Sequence, residues 1–355
     1  MNFAFVAVAD NYGNLISSEP GRFVGPLAAI LGVVFNFIFE LFNNNVTLGV
    51  ALGLSIIIIT FIMRTLILPL ALKSHKSMMK MHRISPEVNA IKQKYEGRTS
   101  PEDKRKMQVE IQQLYSTNKI NPFMGCLPML LTMPVFFGLN FIMRQTHLYV
   151  NALGDVYTRI SSYLIEQLPV SEYLHFWTLR IYHMIPSNFG RDFIPGNVDD
   201  MSRAVSTFTA EQWDSIREAM STCGNVVYEC ICNNVAYLNA LLDERTYIET
   251  FLVFNLTQNA VPSLSFGGIF QWGLIIPLLS VVTMFLTSYL MQRTQRSNDP
   301  AQKMQQRIML FGMPIFFAFI TGGMPMGVGI YWVASNIYQV GQHYALTKYY
   351  ANREL

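Results

Sequence analysis

LGVALGLSIIIITFIMRTLILPLAL, Leu48 to Leu72, is an apolar run of 25 residues that holds a single ionised side chain, Arg64. At about 1.5 Å per helical residue it is long enough to cross a hydrocarbon core of roughly 30 Å. It reads as a transmembrane helix, and with it the chain reads as an all-α polytopic membrane protein. A guanidinium within lipid costs roughly 2.5 kcal/mol or more, so Arg64 is expected to face a polar or hydrated cavity. The competing reading is that the side chain snorkels to the headgroups. Eight apolar or small residues, Thr65 to Leu72, separate it from Lys73, a rise of about 12 Å that makes the reach long.

Composition agrees with a bilayer environment. Of 355 residues 51% are hydrophobic and only 14% charged, against about 25% charged in soluble domains. Cys126, Cys223, Cys230 and Cys232 form neither a paired CxxC zinc pattern nor a disulfide framework. The last three share one loop, so a disulfide among them is open if that loop lies outside. MNFAFVAVAD lacks a basic leader and a long apolar core, so export of the N-terminus is expected to depend on a later hydrophobic segment.

Outward from the first run, Phe23 to Phe42 is a second apolar stretch on which Asn36, Glu40 and Asn43 share one helical face. A helix lying in the membrane interface fits that single stripe, and a full span is the competing reading. Residues 1–47 are then an exterior N-terminal segment. Lys73 to Asn121 carries eleven Lys/Arg against five Asp/Glu, a net +6, in two helical patterns split at EGRTSPED. Ser100 followed by Pro101, Glu102 and Asp103 marks a helix start. This is a charged helical hairpin whose methionines are expected to serve packing. Pro122 to Met143, Ile269 to Met291, 308–321 and 327–346 are four further apolar runs. The last is unusually polar, with Ser335, Asn336, Gln339, Gln342 and His343.

Charge sets the topology. The loop 144–268 has seven Arg, no Lys and thirteen acids, net −6, and residues 1–47 are −2; the link 292–307 is +3 and the tail 347–355 is +1. The sign alternates at every crossing, as the positive-inside rule requires for five spans with the N-terminus outside and the C-terminus cytoplasmic. The long loop is expected to be mostly helical, for example over Ala210 to Met220. Asn255-Leu256-Thr257 matches a glycosylation acceptor pattern and is treated as chance.

Sequence signatures of metalloprotease, serine hydrolase or phosphate-binding chemistry are missing, and the spans contain no carboxylate, which disfavours a proton-coupled transporter. His75, His82, His147, His175, His183 and His343 are scattered and are expected at solvated positions. What remains is one cation with polar company: Thr60 one turn before Arg64, Thr132 in the second span, and Asn336 and Gln339 in the last. The alternative for the two amides is hydrogen bonding between helices. An unpaired cation in a cleft suits a transient acidic guest.

The ordered stretches FIMRTLILPLALK, SMMKMHRISPEVNAIKQKY, QLYSTNKINPFMGCLPMLLTMPVFFGL and GIYWVASNIYQVGQ closely resemble the YidC/Oxa/Alb membrane protein insertases, over Leu48 to Met143 and Phe251 to Leu346. The interfacial helix makes the chain similar to the Gram-positive bacterial branch. The resemblance implies a non-enzymatic insertase and chaperone of the bacterial plasma membrane, with a hydrophilic groove open to the cytoplasm and to lipid. Its groove residues would be Arg64, Thr60, Thr132, Trp332, Asn336 and Gln339. Nascent membrane proteins, the lipid bilayer, the Sec translocon and, transiently, the ribosome are the implied partners; no cofactor, metal or direct nucleic-acid contact is implied. Thr132 departs from the glutamine many bacterial relatives carry there, and the loop from about Arg144 to Thr250 exceeds the Gram-positive pattern. The rival class is an anion transporter or channel using Arg64; it requires polar residues continuing outward, where only Ser55 and Thr60 interrupt the apolar run.

Overall fold

The computed structural model describes residues 24–98, 100–121, 124, 127–167, 196–206, 208, 212–214, 216–217, 235–259, 274–293 and 300–351. Three helices there are long and apolar enough to cross a membrane: Pro26–Asn43, Leu48–Met81 and Ile275–Arg293, with shorter apolar helices at Leu130–Arg144 and Ile308–Gly322. Cys126, Cys223, Cys230, Cys232, His175, His183 and most of the helix expected at Ala210 to Met220 lie outside the described residues, as do positions 269–273 of the third run. The chain divides into two compact units, Met1–Ser55 with Gly138–Thr257 and Ile56–Phe137 with Gln258–Leu355.

In the first unit, helix α1 (Val24–Asn43) buries Ala28, Leu31, Phe35, Ile38 and Phe39 and exposes Ile30, Phe37 and Leu41. Asn36 Oδ1 accepts the backbone N–H of Asn151 at 3.2 Å, while Asn43 donates to Glu40 at the exposed end of the stripe. Gly138, in the last turns of the helix that ends at Arg144, lets Leu31 and Ala28 approach closely. The loop segment is helical as expected at Asn151–Gln167, Val198–Ser206 and Val235–Glu249. The last of these runs directly into a short β-hairpin, Thr250–Phe251 paired with Phe254–Asn255. Leu252 at its tip has φ 58°, a left-handed conformation that costs an L residue roughly 1–2 kcal/mol.

A buried carboxylate fastens this unit. Glu249, 2% exposed, accepts from the Tyr157 hydroxyl and from Asn255 Nδ2, each at 3.0 Å, and lies 3.7 Å from Arg245 Nε. Arg245 also lies over the Trp213 ring at 5.3 Å. Burial and the charge of Glu249 hold the Tyr157 phenol well above its usual range. His147 corrects the expectation of solvated histidines: it is buried against Tyr157, ring centroids 5.4 Å apart, and its Nε2 has no hydrogen-bond partner among the described residues. Burial, with Arg203 nearby, pushes its imidazole down to about 3.

The Arg64 helix, α2, is continuous from Leu48 to Arg83 through Pro69, about 54 Å by helical rise; its first two turns, through Ser55, belong to the first unit and the rest to the second. The apolar run and the first turns of the charged segment are therefore one rod. The hairpin follows as α3 (Ser85–Lys94) and α4 (Pro101–Thr117), with Ser100 capping α4 by accepting the Glu102 N–H. Ile84, Val88 and Ile120 form its small core, joined by Met81, Ile111, Leu114 and Tyr115. Lys94 and Tyr95 both reach Glu110 across the pair, at 2.7 and 2.8 Å. Ser77 donates to the Asn121 carbonyl, so the chain returns to α2 before entering α5 (Leu127–Arg144).

Helices α6 (Ile275–Arg293) and α7 (Met326–Ala351) pack along each other, Ile276 against Gly329 and Thr283 against Asn336. These pairs advance together along both chains, so α6 and α7 run in the same direction. The π-helical turn Ile308–Gly312 leads into α8 (Met313–Gly322), which the chain meets before α7. Pro314 lacks the N–H that an α-helix would aim at Leu310, and the Met313 N–H instead bonds Ile308 one residue further back. Phe317 packs against Trp332 with its ring tilted by 38° and centroids 4.4 Å apart, and Gln292 reaches the Gln306 carbonyl, which makes the α8 segment antiparallel to its neighbours.

Candidate functional site: an arginine between two helices

The site is built where α2 meets α7. Arg64 is half-buried, and its Nε donates to Ser335 Oγ at 2.6 Å while Nη2 donates to the same oxygen. The phenols of Tyr331 and Tyr338 lie close enough to act on the guanidinium electrostatically. Tyr331, Ser335 and Tyr338 are spaced four and three residues apart, so one face of α7 supplies all three. Tyr338 is tied back to α2 by its hydroxyl, 3.0 Å from Thr65 Oγ1, and by its ring, 5.6 Å from Phe61. Further along, His75 meets His343 edge-on at 5.8 Å. Both residues advance together, so α2 and α7 run in the same direction.

Arg64 has no carboxylate partner among the described residues: every ion pair there lies elsewhere. A serine hydroxyl with two lone pairs can accept both N–H groups but neutralises no charge. Among the described residues the site therefore holds a cation whose direct partner is a neutral hydroxyl. A hydroxyl is also a weak competitor for it, since hydrogen bonds to an ionised acceptor are about twice as strong as those to a neutral one.

The sequence-derived residues divide around this centre. Thr60 is fully buried and turns its hydroxyl to its own backbone, donating to the Ile56 carbonyl at 2.6 Å. Thr132 is half-buried on α5. Trp332 is half-buried between Phe136, at 5.0 Å edge-to-face, and Phe317. Asn336 is 5% exposed and donates through Nδ2 to Thr283 Oγ1 at 3.1 Å, while its carbonyl lies 3.5 Å from Thr287 Oγ1. Its amide thus joins α7 to α6, the interhelical role weighed above for it. Gln339 is half-buried. Sequence reasoning missed the direct partner, Ser335, and the flanking tyrosines. The available signal was the 331, 335, 338 spacing, which picks out a second polar face beside the Asn336 and Gln339 one.

Comparison with known proteins places these elements in a common frame. The family model described as 60Kd inner membrane protein matches residues 42–187 and 228–353, which include α2, the hairpin, α5, α6, α8 and α7. Similar curated proteins include the membrane protein insertase YidC of Rickettsia rickettsii (strain Sheila Smith), 28% identical over 297 residues, covering 84% of this chain and 35% of that protein. That of Rickettsia conorii is 27% identical over 297 residues, with the same coverage. YidC of Geobacter sp. (strain M21) is 39% identical over 115 residues, 32% of this chain and 19% of its own length. The chain spans about a third of the length of the Rickettsia relatives it matches.

Proposed function

Because this chain belongs to the 60Kd inner membrane protein family, the family of the membrane protein insertases named YidC, we propose that it inserts and folds newly made membrane proteins, without enzymatic chemistry, at the α2–α7 arginine. The observation that carries the reading is the guanidinium of Arg64, without a carboxylate partner among the described residues, on a helix long enough to cross a bilayer. A polar client segment carrying an acid would enter the groove from the cytoplasm and exchange Ser335 for its own carboxylate. At 4 Å that attraction is about 1 kcal/mol in water and about 4 kcal/mol at an effective dielectric constant near 20. A partly desolvated groove therefore strengthens the pull several-fold without ATP.

The client's apolar segment would meanwhile slide along lipid-facing positions such as Leu66, Leu130 and Leu278, which are strongly exposed in the second unit. Thr60, Thr132, Trp332, Asn336 and Gln339 would line or brace the groove. The charged hairpin would make first contact with clients or the ribosome, and the Sec translocon is the expected membrane partner. In this reading the protein lies in a bacterial plasma membrane with the 144–268 segment outside and the C-terminus cytoplasmic, and α1 lies in the exterior interface.

The test is rescue of insertase-depleted bacteria by the wild-type chain, Arg64→Lys and Arg64→Ala, following a single-span client with an acidic exported tail. Rescue by wild type and Lys with failure of Ala supports the electrostatic mechanism. Equal insertion by Arg64→Ala overturns it.

A further inference from the structure

The hairpin that ends the first unit presents two adjacent apolar side chains at its tip, Leu252 at 71% and Val253 at 61% exposure. Its base is fixed. Thr250 Oγ1 donates to the Thr246 carbonyl, the Leu256 N–H returns to the Glu249 carbonyl at 2.8 Å, and Asn255 is held by the Glu249 carboxylate. One side of the hairpin lies on the start of α2: a side chain on Gly49 would collide with the Thr250 carbonyl, and one on Gly53 with the Phe251 ring. Gly49 and Gly53 are one helical turn apart, within the first two turns of the long apolar span. The hairpin therefore runs alongside a membrane-crossing helix, and its tip is surrounded by whatever surrounds that end of the helix.

We propose that Leu252 and Val253 are inserted into the acyl chains of the leaflet around the Gly49 end of α2, making the hairpin a lipid anchor for the 144–257 segment. Three further features fit hydrocarbon and not water. Leu252 holds a left-handed backbone that glycine would adopt freely, so a leucine there has a use. From Thr250 to Gln292 the chain has no charged residue, and the nearest, Glu249, is buried and hydrogen-bonded. Tyr247, 54% exposed three residues before the hairpin, has the amphipathic ring that favours the headgroup level.

The inference rests on α2 crossing the bilayer, as in the proposed function, and not on what is inserted. The test uses the full chain reconstituted in phosphatidylcholine–phosphatidylglycerol vesicles. Leu252→Trp and Val253→Trp are compared with Asp243→Trp, an exposed polar position on the preceding helix, each read as the difference from wild type with its four tryptophans. Lipids brominated on the acyl chains are expected to quench the two tip tryptophans several-fold more than the one at 243, with iodide in the opposite order. Iodide quenching of the tip equal to or above that at 243, with no effect of brominated lipid, overturns the placement. Client insertion is scored on the same vesicles. Lost insertion with retained lipid quenching counts against the insertase reading alone, and iodide access with retained insertion counts against the anchor alone.

Discussion

Replacing Ser335 by alanine separates a hydrated groove from a dry one. Ser335 is 3% exposed and accepts two N–H groups of Arg64, so Ser335→Ala deletes both acceptor contacts and little volume. In a dry site the stranded donors of a charged group would cost roughly 1–3 kcal/mol or more. In a groove that admits water the lost bonds are replaced, and the net cost falls to about 1 kcal/mol or less. Because Arg64 is only half-buried, the second outcome is expected. Insertion of an acidic-tailed client should then be retained, since the client's carboxylate takes the vacated place. Reversible unfolding in mixed detergent micelles gives the free energy, and protease protection of the exported tail gives the insertion. Asn336→Ala is the control from the other face of α7, expected to cost about 0.6 kcal/mol through loss of its bond to Thr283. The hydrated-groove reasoning is refuted if Ser335→Ala loses 3 kcal/mol or more, by the same order-of-magnitude scale, and abolishes insertion as fully as Arg64→Ala.

Glu249→Ala should destabilise the first unit by about 3–5 kcal/mol, because it strands Arg245 and the Tyr157 and Asn255 donors in a buried site; protease resistance of the exported segment reports it, and a wild-type melting profile would exclude the role. His147 gives a pH dependence of known sign. Its folded value near 3 lies below the ordinary 6.5, so the unfolded chain binds the extra proton first. The stability held by neutral His147 is present above pH 6.5 and is lost at up to about 1.4 kcal/mol per pH unit as pH falls towards 3. His147→Gln should flatten that slope in acid unfolding of the full chain. Gly49→Ala should disturb the hairpin more than Gly53→Ala, because it meets a backbone carbonyl where Gly53→Ala meets a ring that can turn; hydrogen exchange of the Leu256 amide is the readout, and equal protection in both variants would refute the distinction.

Much of the architecture was legible because it follows from length and hydropathy. A long apolar run, a proline-led helix start at Ser100 and a charge-rich interruption each have one-dimensional causes, and the helices found at Leu48–Arg83, Pro101–Thr117 and Met326–Ala351 follow them. Arg64 was legible for the same reason, as the one ionised residue in its run. The small hairpin at Thr250–Asn255 was not legible, since two-residue strands carry no periodicity and this pair gains its footing from Gly49 and Gly53, about two hundred positions earlier.

Sequence by itself determined where the apolar runs lie, that Arg64 is the one ionised residue in the run Leu48 to Leu72, and which helix would carry polar residues towards the end of the chain. Tertiary structure alone decided how those helices are turned about their axes. Ser335 and Asn336 are neighbours in sequence yet point about 100° apart on a helix. The first meets Arg64, and the second meets Thr283 on another helix. Thr60 stands one turn from Arg64 yet donates its hydrogen bond to its own backbone at the Ile56 carbonyl, and His147 is buried against Tyr157. Composition fixes that a polar group within an apolar setting must find a partner; only packing in three dimensions selects which partner is within reach.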